Sequence, residues 1–170
     1  MKPNTVGRAI GRIPKLRPNS MPARKAGLIS GTILLTQEGE IPVEFLSPGD
    51  RIITRDAGMV RLKTIQHRRL ITRAISFAAG SLGHLRPDQD LVLPAAQMVL
   101  LRDWRAKAMF GNDRAMVRAD ALVDAEFVCD LGPQKMLLHQ LGFDAPHVVY
   151  AGGLEISCMS DDALELRPAA

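Results

Sequence analysis

The chain has 170 residues, 46% of them hydrophobic and 24% charged, with two cysteines and a formal net charge of +4. That balance excludes a disordered polymer and a disulfide-stapled miniprotein, and the length suffices to bury a core without covalent help. No apolar run is long enough to span a membrane, and none follows the N-terminal charges as in a secretory signal. A cytoplasmic protein is therefore expected, with export independent of such a signal as the alternative.

The charge is unevenly placed. Lys2, Arg8, Arg12, Lys15, Arg17, Arg24 and Lys25 precede Ala26 with no acid among them, so the rest of the chain is mildly acidic. Pro3, Pro14, Pro18 and Pro22 resist helix and remove backbone donors, which predicts an extended basic arm over residues 1–26. The seven cations are its candidate partner-binding residues.

From Gly31 the texture becomes that of an all-β unit, short apolar runs broken by turn residues. Thr32–Thr36 reads as a strand, 37–40 as a turn and Ile41–Glu44 as its partner. Pro48-Gly49 breaks the chain, and Gly49 suits the positive φ of a tight turn in which Asp50 bonds nearby backbone. Arg51–Thr54 and Met59–His67 flank a hairpin loop at Asp56-Ala57-Gly58. Later strands are expected at Leu91–Leu93, Val99–Arg102, Ala115–Arg118, Lys135–Leu138, Val148–Tyr150 and Glu155–Cys158, with short helical turns at Arg105–Met109 and Asp120–Ala125. A domain over residues 27–160 and a tail over 161–170 follow. Cys129 and Cys158 read as buried thiols. Trp104 and Phe110 read as core residues, or as an exposed partner site if they face solvent.

The segment Gly31-Thr32-Ile33-Leu34-Leu35-Thr36, then Gly39, then Pro42-Val43-Glu44-Phe45-Leu46-Ser47-Pro48-Gly49-Asp50, resembles the opening block of Hint domains, the β fold of hedgehog autoprocessing domains and inteins. Ala79-Gly80-Ser81-Leu82-Gly83 with Pro87, then Phe110-Gly111, Val117-Arg118-Ala119 and His147–Gly153 resemble later blocks of the family's bacterial branch, so the likeness spans roughly residues 27–159. It implies an all-β, Hint-type compact fold with short helical turns behind the basic arm.

The resemblance also implies a chemistry. A Cys or Ser side chain attacks the carbonyl of the residue before it, and a histidine protonates the leaving amine. The matching nucleophile position here is Gly27, which has no side chain. The matching histidine position is Gln97, an amide that cannot shuttle a proton. His147 matches the family's late histidine and is expected to survive as a packed, hydrogen-bonded side chain. No catalytic residue, metal or other cofactor is expected; a metal would require His84, His139 and His147 to converge.

The leading expectation is thus an inactive Hint-like domain, reused as a binding or accessory subunit of a larger assembly or of a homo-oligomer and docking through its arm. Two alternatives stand beside it. One is autoprocessing with Ser20, Ser30 or Cys158 as a non-standard nucleophile. The other is salt-sensitive, non-specific nucleic-acid binding by the arm, disfavoured because the arm has no aromatic residue for stacking.

Overall fold

The computed structural model describes residues 25–159. Within them the chain forms twelve strands and one short helix: β1 (Leu28–Ile29), β2 (Ile33–Thr36), β3 (Gly39–Pro42), β4 (Arg51–Thr54), β5 (Gly58–Arg61), β6 (Thr64–Phe77), β7 (Leu91–Pro94), β8 (Met98–Leu101), α1 (Trp104–Phe110), β9 (Ala115–Arg118), β10 (Val128–Gly142), β11 (His147–Ala151) and β12 (Leu154–Cys158). Single 3-10 turns lie at Val43–Phe45 and Ala119–Leu122.

The strands form two sheets. The smaller runs β1-β10-β6-β7; the larger runs β3-β2-β4-β11-β12-β8-β9, with β5 hydrogen-bonded to β4. The expected all-β class is the observed one. One apolar cluster spans both sheets, with Leu28, Leu34, Ile52, Phe77, Leu93, Leu101, Phe143 and Ile156 essentially solvent-free. Burial of this apolar area, at about 25 cal/mol per Å², is the principal stabilising term.

The Pro48-Gly49-Asp50 turn behaves as its residues require. Gly49 has φ 102°, and the Asp50 carboxylate accepts from the Ser47 amide at 2.8 Å. Helix α1 begins at Asp103, whose side chain accepts from Arg105 N, and ends at Gly111, so the expected helical turn is present with both caps.

Three expectations need correction. Met59–His67 is not one strand: Leu62 is fully buried and exchanges hydrogen bonds with the Gly49-Asp50 turn, its carbonyl accepting from Gly49 N and its amide donating to Asp50 O. The chain changes sheets there, β5 joining the larger and β6 the smaller. Ile41–Glu44 stops at Pro42, because the buried Val43 turns inward and donates to Thr32 O. Cys129 is only partly buried, whereas Cys158 is buried; strand alternation puts them in different surroundings.

The largest feature exceeds its expected pieces: Lys135–Leu138 is a short part of β10, and Met59–His67 reaches only the first residues of β6. β6 and β10 pair antiparallel over most of their length, from Val128↔Phe77 to Gly142↔Thr64. Arg68, Arg69 and Arg73 disguise β6, although His67, Arg69, Ile71 and Arg73 all take its solvent face, as a half-exposed strand requires. In β10, the Leu131-Gly132-Pro133 run looks like a break and is a bulge, the register shifting between Asp130 and Pro133.

Candidate functional site

Where β1 enters the fold it lies on the C-terminal part of β10, Leu28 opposite His139 and Ile29 opposite Leu138. This places the Ala26–Gly27 peptide against Gln140 and, from the turn between β7 and β8, against Gln97. The Gly27 amide donates to Gln97 Oε1 at 2.9 Å. Gln97 Nε2 donates in turn to Ser157 O at 2.9 Å and to Met98 O at 3.2 Å. Gln140 Nε2 donates to Ala26 O at 2.7 Å. Both glutamines are buried, so the two ends of one peptide group are held by two desolvated side-chain amides.

Gly27 is closely confined. Its φ is 150°, and a Cβ there would stand 3.1 Å from His139 O, 3.1 Å from Leu138 Cβ and 3.2 Å from Gln140 Cγ. An L side chain is strained in that conformation, and two of these neighbours are strand backbone or its first side-chain carbon. The adjoining hollow, lined in part by Ala26, Gly27, Gln97, His139, Gln140 and Cys158, measures roughly 20 Å³, room for about one water.

Beside it, Ser30 Oγ and His139 Nε2 lie 2.8 Å apart, and His139 Nδ1 is 3.0 Å from His67 Nδ1. The two rings meet edge to face. Ser30 is exposed and His139 buried. With the His139 proton on Nδ1 and donated to His67, Nε2 is free to accept from the serine hydroxyl. Glu44, the polar residue between two apolar runs of the opening block, accepts from Gly31 N at 2.7 Å and so fixes the turn that carries Ser30. That amide holds the Glu44 carboxyl below its ordinary range.

Burial, then the neighbouring His67, push the His139 imidazole below its ordinary value, with Glu44 opposing. In acid the unfolded chain therefore binds more protons than the folded one. We expect stability to be level above pH 6.5, the ordinary value, and to fall as pH drops through it towards the folded pKa. Urea midpoints at pH 7.5 and 5.5 measure this, and His139→Gln should reduce the difference.

The other sequence-predicted residues lie apart. His147 Nδ1 is 2.7 Å from Asp56 Oδ2, and its ring packs edge to face on Phe143. For Asp56, burial works upward, but the Val148 amide and His147 outweigh it and hold the carboxyl low. His84 sits exposed in the loop after β6. His84, His139 and His147 thus have separate surroundings, and among the described residues no three His, Cys, Asp or Glu side chains are grouped to hold a metal. Burial pushes the Cys158 thiol up to about 12, leaving it protonated and a poor nucleophile at neutral pH. Lys25, the first described residue, is exposed. Lys2, Arg8, Arg12, Lys15, Arg17, Arg24 and Ser20 lie outside the described residues.

A family model for the Hint domain matches residues 26–162. The chain belongs to the Hint domain family. Among solved structures, a bacterial intein-like domain from Clostridium thermocellum is similar with a TM-score of 0.52 and 13% identity, over 79% of this chain and 99% of that one. The gp41-1 intein has a TM-score of 0.50 at 8% identity, over 77% and 97%. A variant of the MchDnaB-1 intein has a TM-score of 0.50 at 14% identity, over 77% and 98%. At such identities the likeness concerns the fold. No curated protein matches.

Hint domains typically process themselves, which makes the peptide at the entrance of β1 the part of this Hint fold to weigh. Sequence reasoning singled out Gly27, Gln97, Ser30 and His139 separately, and missed Gln140 and the pairing of His139 with His67. Gln140 lies just beyond the expected Lys135–Leu138 strand and carries no motif, and the two histidines are 72 residues apart, joined only by the β6–β10 register.

Proposed function

We propose that this Hint domain does not cleave itself and serves as a binding or accessory subunit of a larger assembly, docking through its basic arm. The observation that carries the reading is the Ala26–Gly27 peptide, held at both ends by Gln97 and Gln140. An acyl shift at this bond needs a nucleophile on residue 27 and an acid at its amide nitrogen. Residue 27 offers no side chain, and the group at the nitrogen is a carboxamide oxygen, which accepts a proton bond and gives none. Gln140 supplies the remaining ingredient, a donor on the carbonyl oxygen, which by itself only anchors the peptide.

With this bond intact, the arm stays covalently joined to β1. Its seven cations favour an acidic protein surface as the partner. Deleting residues 1–24 should abolish co-purification of the partner while the thermal unfolding of the domain is retained. Association that survives the deletion would overturn the arm's role.

A second reading is favoured by one contact, Ser30 Oγ against His139 Nε2. The hydroxyl would attack the Ile29 carbonyl, His139 taking its proton and returning it to the Ser30 nitrogen as the Ile29–Ser30 amide breaks and an Ile29–Oγ ester forms. Water would then hydrolyse that ester, so the reading predicts a chain beginning at Ser30, and Ser30→Ala would abolish it.

A further inference from the structure

For Trp104 and Phe110 the core reading fails, since both are exposed. The exposed surface with the fuller chemistry lies at the turn after β1. Ile29-Ser30-Gly31-Thr32 is a β-turn closed by Thr32 N donating to Ile29 O at 3.2 Å. Gly31 takes a φ of 86°, as a type II turn requires at its third residue. Ser30 holds the second position, from which its side chain projects, and it is exposed. The Glu44 carboxylate, accepting from Gly31 N, holds the turn in place.

Three side chains stand in series there. Ser30 Oγ is 2.8 Å from His139 Nε2, and His139 Nδ1 is 3.0 Å from His67 Nδ1. The strand register supplies this order: β10 lies between β1 and β6, with His139 opposite Leu28 on one side and His67 on the other. One ring nitrogen of His139 thus faces the hydroxyl and the other faces the second histidine. With its proton on Nδ1, the ring is oriented by donating to His67 and accepts from the serine. A nucleophile, a base and a group that orients the base are what an activated serine needs. Burial, then His67, keep the His139 imidazole below its ordinary value, with Glu44 opposing, so at neutral pH the ring is free to take a proton.

We propose that Ser30, His139 and His67 act as nucleophile, base and positioning residue on small carboxylic esters from solvent, moving the acyl group to Ser30 and then to water. The second reading above shares the Ser30–His139 contact, but this activity requires no break in the chain. Ser30 Oγ attacks the ester carbonyl as its proton passes to His139 Nε2. The bond from the acyl carbon to the alkoxide breaks, and the proton leaves on the alcohol. Water then adds to the acyl carbon on Oγ, one of its protons passing through His139 to the departing serine oxygen, and a carboxylic acid is released. The Glu44 carboxylate at the turn, which acts on His139, repels negative charge and so selects uncharged or cationic esters.

The probe is para-nitrophenyl acetate added to the full chain, read by nitrophenolate release and by the mass of proteolytic fragments after an acid quench. Repeated turnover is expected, with one acetyl group trapped on the fragment that contains Ser30. Ser30→Ala changes an exposed side chain and keeps the fold; it should remove that acetyl and lower release about a hundredfold, as should His139→Gln. His67→Ala should slow release, and His67→Asn, whose amide oxygen can accept from His139 Nδ1, should restore part of it. The anionic ester para-nitrophenyl succinate should react about fivefold more slowly than the acetate. Release unchanged in Ser30→Ala, or acetyl found only on other residues, would overturn the proposal. A full-length chain that releases no nitrophenolate would overturn it too, while leaving the uncleaved accessory subunit standing. A chain shortened to begin at Ser30 would make the chain itself the acyl donor and overturn both.

Discussion

Glu155→Leu should lower the unfolding free energy by about 3 kcal/mol, equivalent to roughly 10 °C in melting temperature for a domain of this size. The carboxylate is 3% exposed and ties together segments distant in sequence: Arg55 after β4 at 3.1 Å, Arg86 in the loop before β7 at 3.5 Å, and Arg102 after β8 at 2.7 Å. Removing the anion leaves three guanidiniums facing one another around an apolar side chain. Their own exposure, 20–34%, lets water screen part of the repulsion, which places the effect at the lower end of the range for broken buried pairs. Glu155→Gln keeps the shape and one acceptor and should cost less. Denaturant unfolding measures both, and a loss below about 1 kcal/mol for the leucine variant would contradict the clamp.

Restoring the family's expected chemistry residue by residue should fail. Gly27→Cys combined with Gln97→His is expected to lower stability by about 3 kcal/mol and to yield no cleavage. The cysteine must leave the backbone conformation that only glycine adopts comfortably, because its Cβ would be pressed against His139 O and Leu138 Cβ at 3.1 Å. The residue 27 amide also loses the Gln97 oxygen that accepts its hydrogen bond at 2.9 Å in this chain. The histidine cannot reproduce the two donations that Gln97 makes to Ser157 O and Met98 O, so buried carbonyls lose partners. Gly27→Ala isolates the first effect at about 1–3 kcal/mol. Cleavage at the Ala26–Gly27 bond in the double variant would show that the scaffold still supports the reaction and lacks only the side chains.

Much of this was legible in the sequence because local signals and fold agreed. Gly49 and Asp50 had turn chemistry, Arg105–Met109 read as a helical turn, and short β-rich runs gave most strands within a residue or two. Hint membership was readable from identities at fixed spacing between Gly31 and Asp50. What escaped was the long β6–β10 pair, where arginines and a Gly-Pro bulge overrode the alternation. The candidate site escaped with it. Gln140, His139 and His67 meet only through that register, so no spacing along the chain announces them. Glu155 was likewise silent: its three arginines come from three loops.

The most direct test of the central claim is the intact mass of the purified full chain, before and after hydroxylamine. The account predicts one species at the mass of all 170 residues, unchanged by treatment, because the Ala26–Gly27 peptide has no nucleophile to open it. A shortened chain beginning at Gly27 or Ser30, or an ester that hydroxylamine cleaves, would contradict it and make this Hint domain a self-processing one.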